Sequence, residues 1–243
     1  MCDPAQQDST NPSLRPLRVG IQRFSAVEML IALVLLFVAT PFIEGLPGGD
    51  FIELILTIVF FLSAVRAVGG RRRMLLLTFL LVVPAAVCRW MSHHQPHGFL
   101  PVIFFVSAIA FLTFVIVHIL RFVLRTPRVN TEVLCASISV YLMLGLLWAM
   151  AYRLVAFLTP AAFTFNAAQV VSQPMEGFTA FYFSFVTLST VGYGDITPVS
   201  SVARMLAVME SMTGTLYVAV LIARLVALYS TSDSSRKSDP TQP

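Results

Sequence analysis

At 243 residues, 57% hydrophobic and only 12% charged, the chain carries roughly half the charge of an ordinary soluble domain, which excludes a water-soluble globular fold. The formal net charge of +4 invites a nucleic-acid partner, but the basic residues flank apolar blocks instead of forming one patch, so none is expected. Cys2, Cys88 and Cys135 show neither metal-ligand spacing nor a paired framework, which argues against a disulfide scaffold or a cysteine metal site.

The chain opens with a short polar tail, residues 1–22. Apolar blocks of roughly 17–27 residues follow, lengths that cross ~30 Å of hydrocarbon at 1.5 Å per residue. They predict spans at Phe24–Phe42, Phe51–Ala67, Met74–Trp90 and Phe99–Leu120, a peripheral transmembrane domain over residues 23–128. The first block is about 20 residues long and lacks a small-x-small cleavage pattern, so it predicts a retained helix and not a signal peptide. Two more spans, Val133–Phe157 and Val202–Leu228, belong to a second domain, residues 129–229, and a polar tail, 230–243, ends the chain. Neither tail is long enough to fold as a ligand-sensing domain. The expected fold class is an all-α integral membrane protein of six transmembrane helices.

Lys- and Arg-rich loops stay cytoplasmic. Arg15, Arg18 and Arg23, then Arg66 and Arg71–Arg73, then Arg121, Arg125 and Arg128, then Arg224, Arg236 and Lys237 all fall on one side of this topology. The other side holds Arg89, Arg153 and Arg204 with acidic Glu44, Asp50, Glu176 and Asp195. Both termini are therefore expected in the cytoplasm, with the chain in the plasma membrane among lipids. Glu28 and Glu53, near span ends, are expected to be solvated at the interface. His93, His94 and His97 fit a solvated outer loop, and Trp148 and Tyr152 fit interfacial aromatics.

Between the last two spans, Pro174 and Glu176 mark a helix start, predicting a short re-entrant helix from about Pro174 to Leu188. It runs into Thr187-Leu188-Ser189-Thr190-Val191-Gly192-Tyr193-Gly194-Asp195, which resembles the potassium-channel signature T-x-x-T-x-G-Y-G-D at every defined position. The resemblance covers the fifth span, the re-entrant helix, the loop and the sixth span. It implies a selectivity filter binding K⁺ at Thr190, Val191, Gly192 and Tyr193, with Gly194 completing the strand. A dehydrated cation needs oxygen ligands in place of water, and rings of backbone carbonyls from several copies supply them. Glycine permits the required backbone turns at Gly192 and Gly194. One filter segment per chain implies a homotetramer. Asp195, Thr187, Tyr182 and Phe183 are expected to support the filter, the aromatics forming a cuff with Tyr193.

In the sixth span, Gly214 resembles the hinge glycine of potassium-channel inner helices, and the stripe Thr215, Val218, Ile222 and Val226 is expected to line the pore. Glu210 lies about 140° round the helix from Thr215, so it should face the re-entrant helix and brace the filter from behind, satisfied by hydroxyls such as Ser184 or Thr187, by water or by protonation. Voltage-gated channels carry arginines through their fourth span. Phe99–Leu120 has none, so strong voltage gating is not expected. No enzymatic chemistry and no cofactor beyond the permeant K⁺ are implied. A weakly selective cation channel is the nearest alternative, against which Tyr193 and Asp195 argue. A non-conducting membrane sensor or scaffold is the other.

Overall fold

A computed structural model of the chain describes residues 25–43, 49–67, 99–126, 130–165 and 175–237. The predicted span Met74–Trp90 lies outside the described residues, as do the tail 1–22, Arg71–Arg73, Cys2, Cys88, the three histidines of 93–97, and Pro174. The elements are α1 (Ser25–Ile43), α2 (Gly49–Ala67), α3 (Leu100–Arg125), α4 (Thr131–Leu158), β1 (Phe163–Phe165), α5 (Gly177–Leu188), β2 (Ile196–Pro198) and α6 (Ser201–Lys237).

Four of these helices are long and apolar enough to cross a membrane: α1, α3, α4 and α6 over Ser201–Ala227. The apolar stretch of α2, Ile55–Arg66, falls short of that length, as does α5. Helix α3 does not stop at Leu120. It continues through Arg121 to Arg125, and the Thr126 amide closes its last turn on the Phe122 carbonyl at 3.1 Å. Helix α4 starts where Asn130, in extended conformation, accepts the Val133 amide at 3.1 Å, an N-cap that satisfies an otherwise orphan donor.

Helix α4 is the hub. It packs on α3, α1, α5 and α6, and 56% of its span is buried, against 11% of that of α6. Two apolar clusters result. One joins α1, α2, α3 and the first half of α4 through Met29, Leu33, Phe60, Phe111, Val115, Ile119, Val140 and Met143. The other joins the second half of α4 to α5 and the residues around the strands through Tyr152, Phe163, Ala180, Phe183, Ile196 and Ala203.

Several expectations change. To the expected all-α fold the structure adds a short ribbon: β1 and β2 pair antiparallel with Phe163 opposite Pro198 and Phe165 opposite Ile196. Three-residue strands carry no readable alternation, so the sequence pattern could not reveal them. Glu28 is not merely solvated; it pairs with Arg66 of α2 at 3.3 Å. Tyr152 is fully buried and not an interfacial ring, because its hydroxyl has a buried partner. Trp148 is half-buried against the second cluster.

Candidate ion-conduction site

Helix α5 begins at Gly177, three residues after the expected Pro174, with Glu176 in extended conformation at its N-cap. At its other end the chain doubles back onto the helix. The Thr190 amide donates to the Thr187 carbonyl at 2.9 Å, and the Val191 and Gly192 amides both donate to the Val186 carbonyl, at 2.9 and 3.3 Å. In a planar trans peptide the carbonyl points opposite to the amide that follows it. The carbonyls of Ser189, Thr190 and Val191 therefore point away from α5, in a common direction. Backbone handedness agrees: Thr190, Gly192 and Gly194 have φ of 59°, 58° and 77°, while Val191 and Tyr193 do not enter the left-handed region. Alternating handedness sends successive amides to one side and carbonyls to the other. The expected glycines are thus at left-handed positions, and Thr190, which sequence reasoning assigned only an oxygen ligand, bears the same strain with a β-branched side chain.

The far end of this strand is anchored twice. Asp195 accepts the Tyr182 hydroxyl at 2.7 Å through Oδ2 and the Ile196 amide at 3.0 Å through Oδ1. The Tyr182 and Tyr193 rings stack with planes 6° apart and centroids 6.4 Å apart. β2 starts at the next residue, and the β1–β2 ribbon, extended by the Val199 amide on the Ala162 carbonyl at 2.8 Å, ties it to the segment following α4. Phe183 does not join the aromatic cuff. One residue is about 100° of helix, so it turns the other way, edge-on to Tyr152 and Phe163 at 4.8 and 5.5 Å. Any support it gives the filter passes through that packing.

Behind the strand stands α6. Glu210 is fully buried, accepting the Tyr152 hydroxyl at Oε2 and lying 2.5 Å from the Ser184 Oγ at Oε1. Its turn toward α5 and its contact with Ser184 follow from the helical rotation of α6. Tyr152 was missed, because assignment to the interface obscured a polar tip inside the fold. Thr187 contributes its backbone carbonyl, not a bond to Glu210. One turn further on, Gly214 touches the end of α5: a Cβ there would collide with the Leu188 carbonyl oxygen. The sequence singled out Gly214 for flexibility. Here α6 runs unbroken through it, and the missing side chain admits a close approach. Thr215, Val218, Ile222 and Val226 are all exposed on this chain. Arg224, read only as a topology marker, donates to the Val123 and Thr126 carbonyls, capping the C-terminal end of α3.

Residues 140–231, from the middle of α4 through α6, match the family described as "Ion channel". Among curated proteins, Two-pore potassium channel 4 of Arabidopsis thaliana is 48% identical over 48 residues, 20% of this chain and 17% of that protein. The Voltage-gated potassium channel Kch of Escherichia coli (strain K12) is 58% identical over 36 residues, covering 15% of this chain and 9% of the relative. The chain thus spans only a small part of these two relatives. Protein LctB of Bacillus caldotenax is 31% identical over 102 residues, which cover 42% of this chain and 75% of LctB. No solved structure matches significantly. With the match extending over three quarters of LctB, and the family's own region containing the α5–strand–α6 site, the chain is a membrane-spanning member of the ion channel family.

Proposed function

We propose that the chain is one subunit of a homotetrameric, potassium-selective channel that passes K⁺ down its gradient through a carbonyl-lined filter. The single observation that carries this reading is the alternation of left-handed residues at 190, 192 and 194 with amides folded back onto α5. It leaves a row of carbonyls facing away from the protein, where a dehydrated cation can replace its water. Two relatives bearing the name potassium channel support it.

One chain supplies one row, so four copies around an axis are needed to surround the ion. The exposed apolar side chains of α6, among them Val202, Met205, Met209, Met212 and Leu216, supply surface for those neighbours and for lipid. In this arrangement Thr190, Val191, Gly192 and Tyr193 bind K⁺, α5 is re-entrant with its partly negative C-terminal end toward a central cavity, and Thr215, Val218, Ile222 and Val226 line the path below. Six spans with both termini cytoplasmic fit the arginine distribution. Voltage control is weak, since α3 carries no Arg or Lys from Leu100 to Leu120 and a charge crossing 100 mV is worth ~2.3 kcal/mol.

Protein in vesicles loaded with K⁺ and diluted into Na⁺ tests this with a voltage-sensitive dye. The interior becomes negative, and external Ba²⁺, close to K⁺ in size but doubly charged, suppresses the signal. A dye signal no larger than that of protein-free vesicles refutes conduction.

A further inference from the structure

Around Glu210, α4, α5 and α6 meet in oxygen contacts whose protons can be counted. Tyr152 donates to Oε2. The Ser184 Oγ lies 2.5 Å from Oε1 and also 2.7 Å from the Gly145 carbonyl oxygen. A hydroxyl has one proton to give. If the carboxyl is ionised, Ser184 can serve only one of its two close acceptors, and a negative charge sits fully buried with no Lys or Arg bonded to it among the described residues. With the proton on Oε1 every contact is filled: Glu210 donates to Ser184, Ser184 donates to Gly145, and Tyr152 donates to Glu210. The other titratable groups of the packed elements point elsewhere: Tyr141 of α4 lies against Tyr217 of α6, Tyr217 donates to the Ser137 carbonyl, Tyr182 of α5 is turned to Asp195, Arg153 of α4 lies over the Phe105 ring, and Arg204 and Arg224 of α6 donate to the Pro198 and Val123 carbonyls.

The position gives this contact its consequence. Ser184 and Leu188 are one turn apart on α5, and Glu210 and Gly214 are one turn apart on α6. Glu210 meets Ser184, and Gly214 meets the Leu188 carbonyl. The two helices are therefore fastened at two successive turns in matching register, and the second contact lies two residues before Thr190. A shift of α6 must either carry the end of α5 with it or break both contacts.

We propose that Glu210 is a proton-bearing positioning residue: as a neutral acid it clasps α6 to α4 and α5, and so holds the end of α5 and the filter strand in conducting register. This rests on the channel reading above, and two kinds of readout keep the two claims apart. Full-length wild type, Glu210→Gln, Glu210→Leu and Ser184→Ala are compared in reconstituted membranes. The infrared C=O stretch of a protonated carboxylic acid, present at neutral pH in wild type and absent from Glu210→Gln, reports the proton whether or not the protein conducts. K⁺ over Na⁺ permeability and the decay of current in steady K⁺ report the register.

Glutamine matches the neutral acid, its amide donating to Ser184 and its carbonyl accepting from Tyr152, so Glu210→Gln keeps the permeability ratio and decay rate of wild type. Glu210→Leu keeps the apolar volume but loses the clasp, and its current decays about tenfold faster, equivalent to ~1.4 kcal/mol. Should Glu210→Leu fail to assemble, Ser184→Ala decides, with faster decay expected there too. The proposal is overturned if the infrared band is missing from wild type, if Glu210→Gln behaves like Glu210→Leu, or if the variants that assemble all match wild type. Wild type that shows the band but passes no K⁺ refutes the channel reading and leaves the neutral clasp standing.

Discussion

Around α1, α2 and α3 the buried contacts are almost all aliphatic or aromatic: Met29, Leu33, Phe60, Phe111, Val115 and Ile119 fill one another's gaps, and the Glu28–Arg66 pair sits at the exposed margin. Between α4, α5 and α6 the buried contacts include a carboxyl, two hydroxyls and a glycine pressed against a carbonyl, and beside them runs an exposed strand with residues in the left-handed region. The first kind of packing needs volume and tolerates exchange among residues of similar size. The second needs particular atoms. One chain thus joins a forgiving frame to a second region whose packing depends on single atoms.

The sharpest way to break this contrast is Gly192→Ala. A Cβ at φ 58° meets no neighbouring atom of its own chain, so the penalty within the chain is conformational, ~1–2 kcal/mol and borne by every chain of the ring. Single-channel recording should show no K⁺ current while size-exclusion chromatography still shows the assembled protein. Next in size is Gly214→Val, which drives a branched side chain into the Leu188 carbonyl and should destabilise the assembly by ~1–3 kcal/mol, read as a lower melting temperature in detergent. Tyr182→Phe keeps the ring stacked on Tyr193 but removes the bond to Asp195, a loss of ~1 kcal/mol; current decay should quicken severalfold while the melting temperature falls by only a few degrees. The smallest effect belongs to the frame. Glu28→Gln breaks an ion pair whose two side chains are 42% and 66% exposed, and should leave both conductance and melting temperature within error of wild type. A loss of selectivity in that last variant would erase the distinction between the two regions.

How much of this could be read from residues alone divides along the same line. The left-handed backbone was legible because its cause is local: Thr190 to Asp195 are contiguous, and glycines at alternate positions announce it. Glu210 was legible because a charged residue in an apolar span is rare and helical rotation limits where it can face. Tyr152 was not, since its partner lies 58 residues away and a tyrosine at a span end has a simpler interfacial explanation. Arg224 was hidden in the same way, its role as a cap depending on how α6 crosses the end of α3. The β1–β2 ribbon left no trace because three residues cannot display a period. Phe183 was misassigned because adjacency in sequence to Tyr182 was taken for adjacency in space, whereas a helix separates neighbours by 100°.

The central claim is that carbonyls aligned along Thr190–Tyr193 by a backbone of alternating hand select K⁺ by replacing its hydration shell. Bi-ionic recording from the purified protein in a planar bilayer, K⁺ on one side and Na⁺ on the other, tests it most directly. A current that reverses near the K⁺ equilibrium potential is the predicted result. Reversal near 0 mV, with Na⁺ as permeant as K⁺, would contradict it.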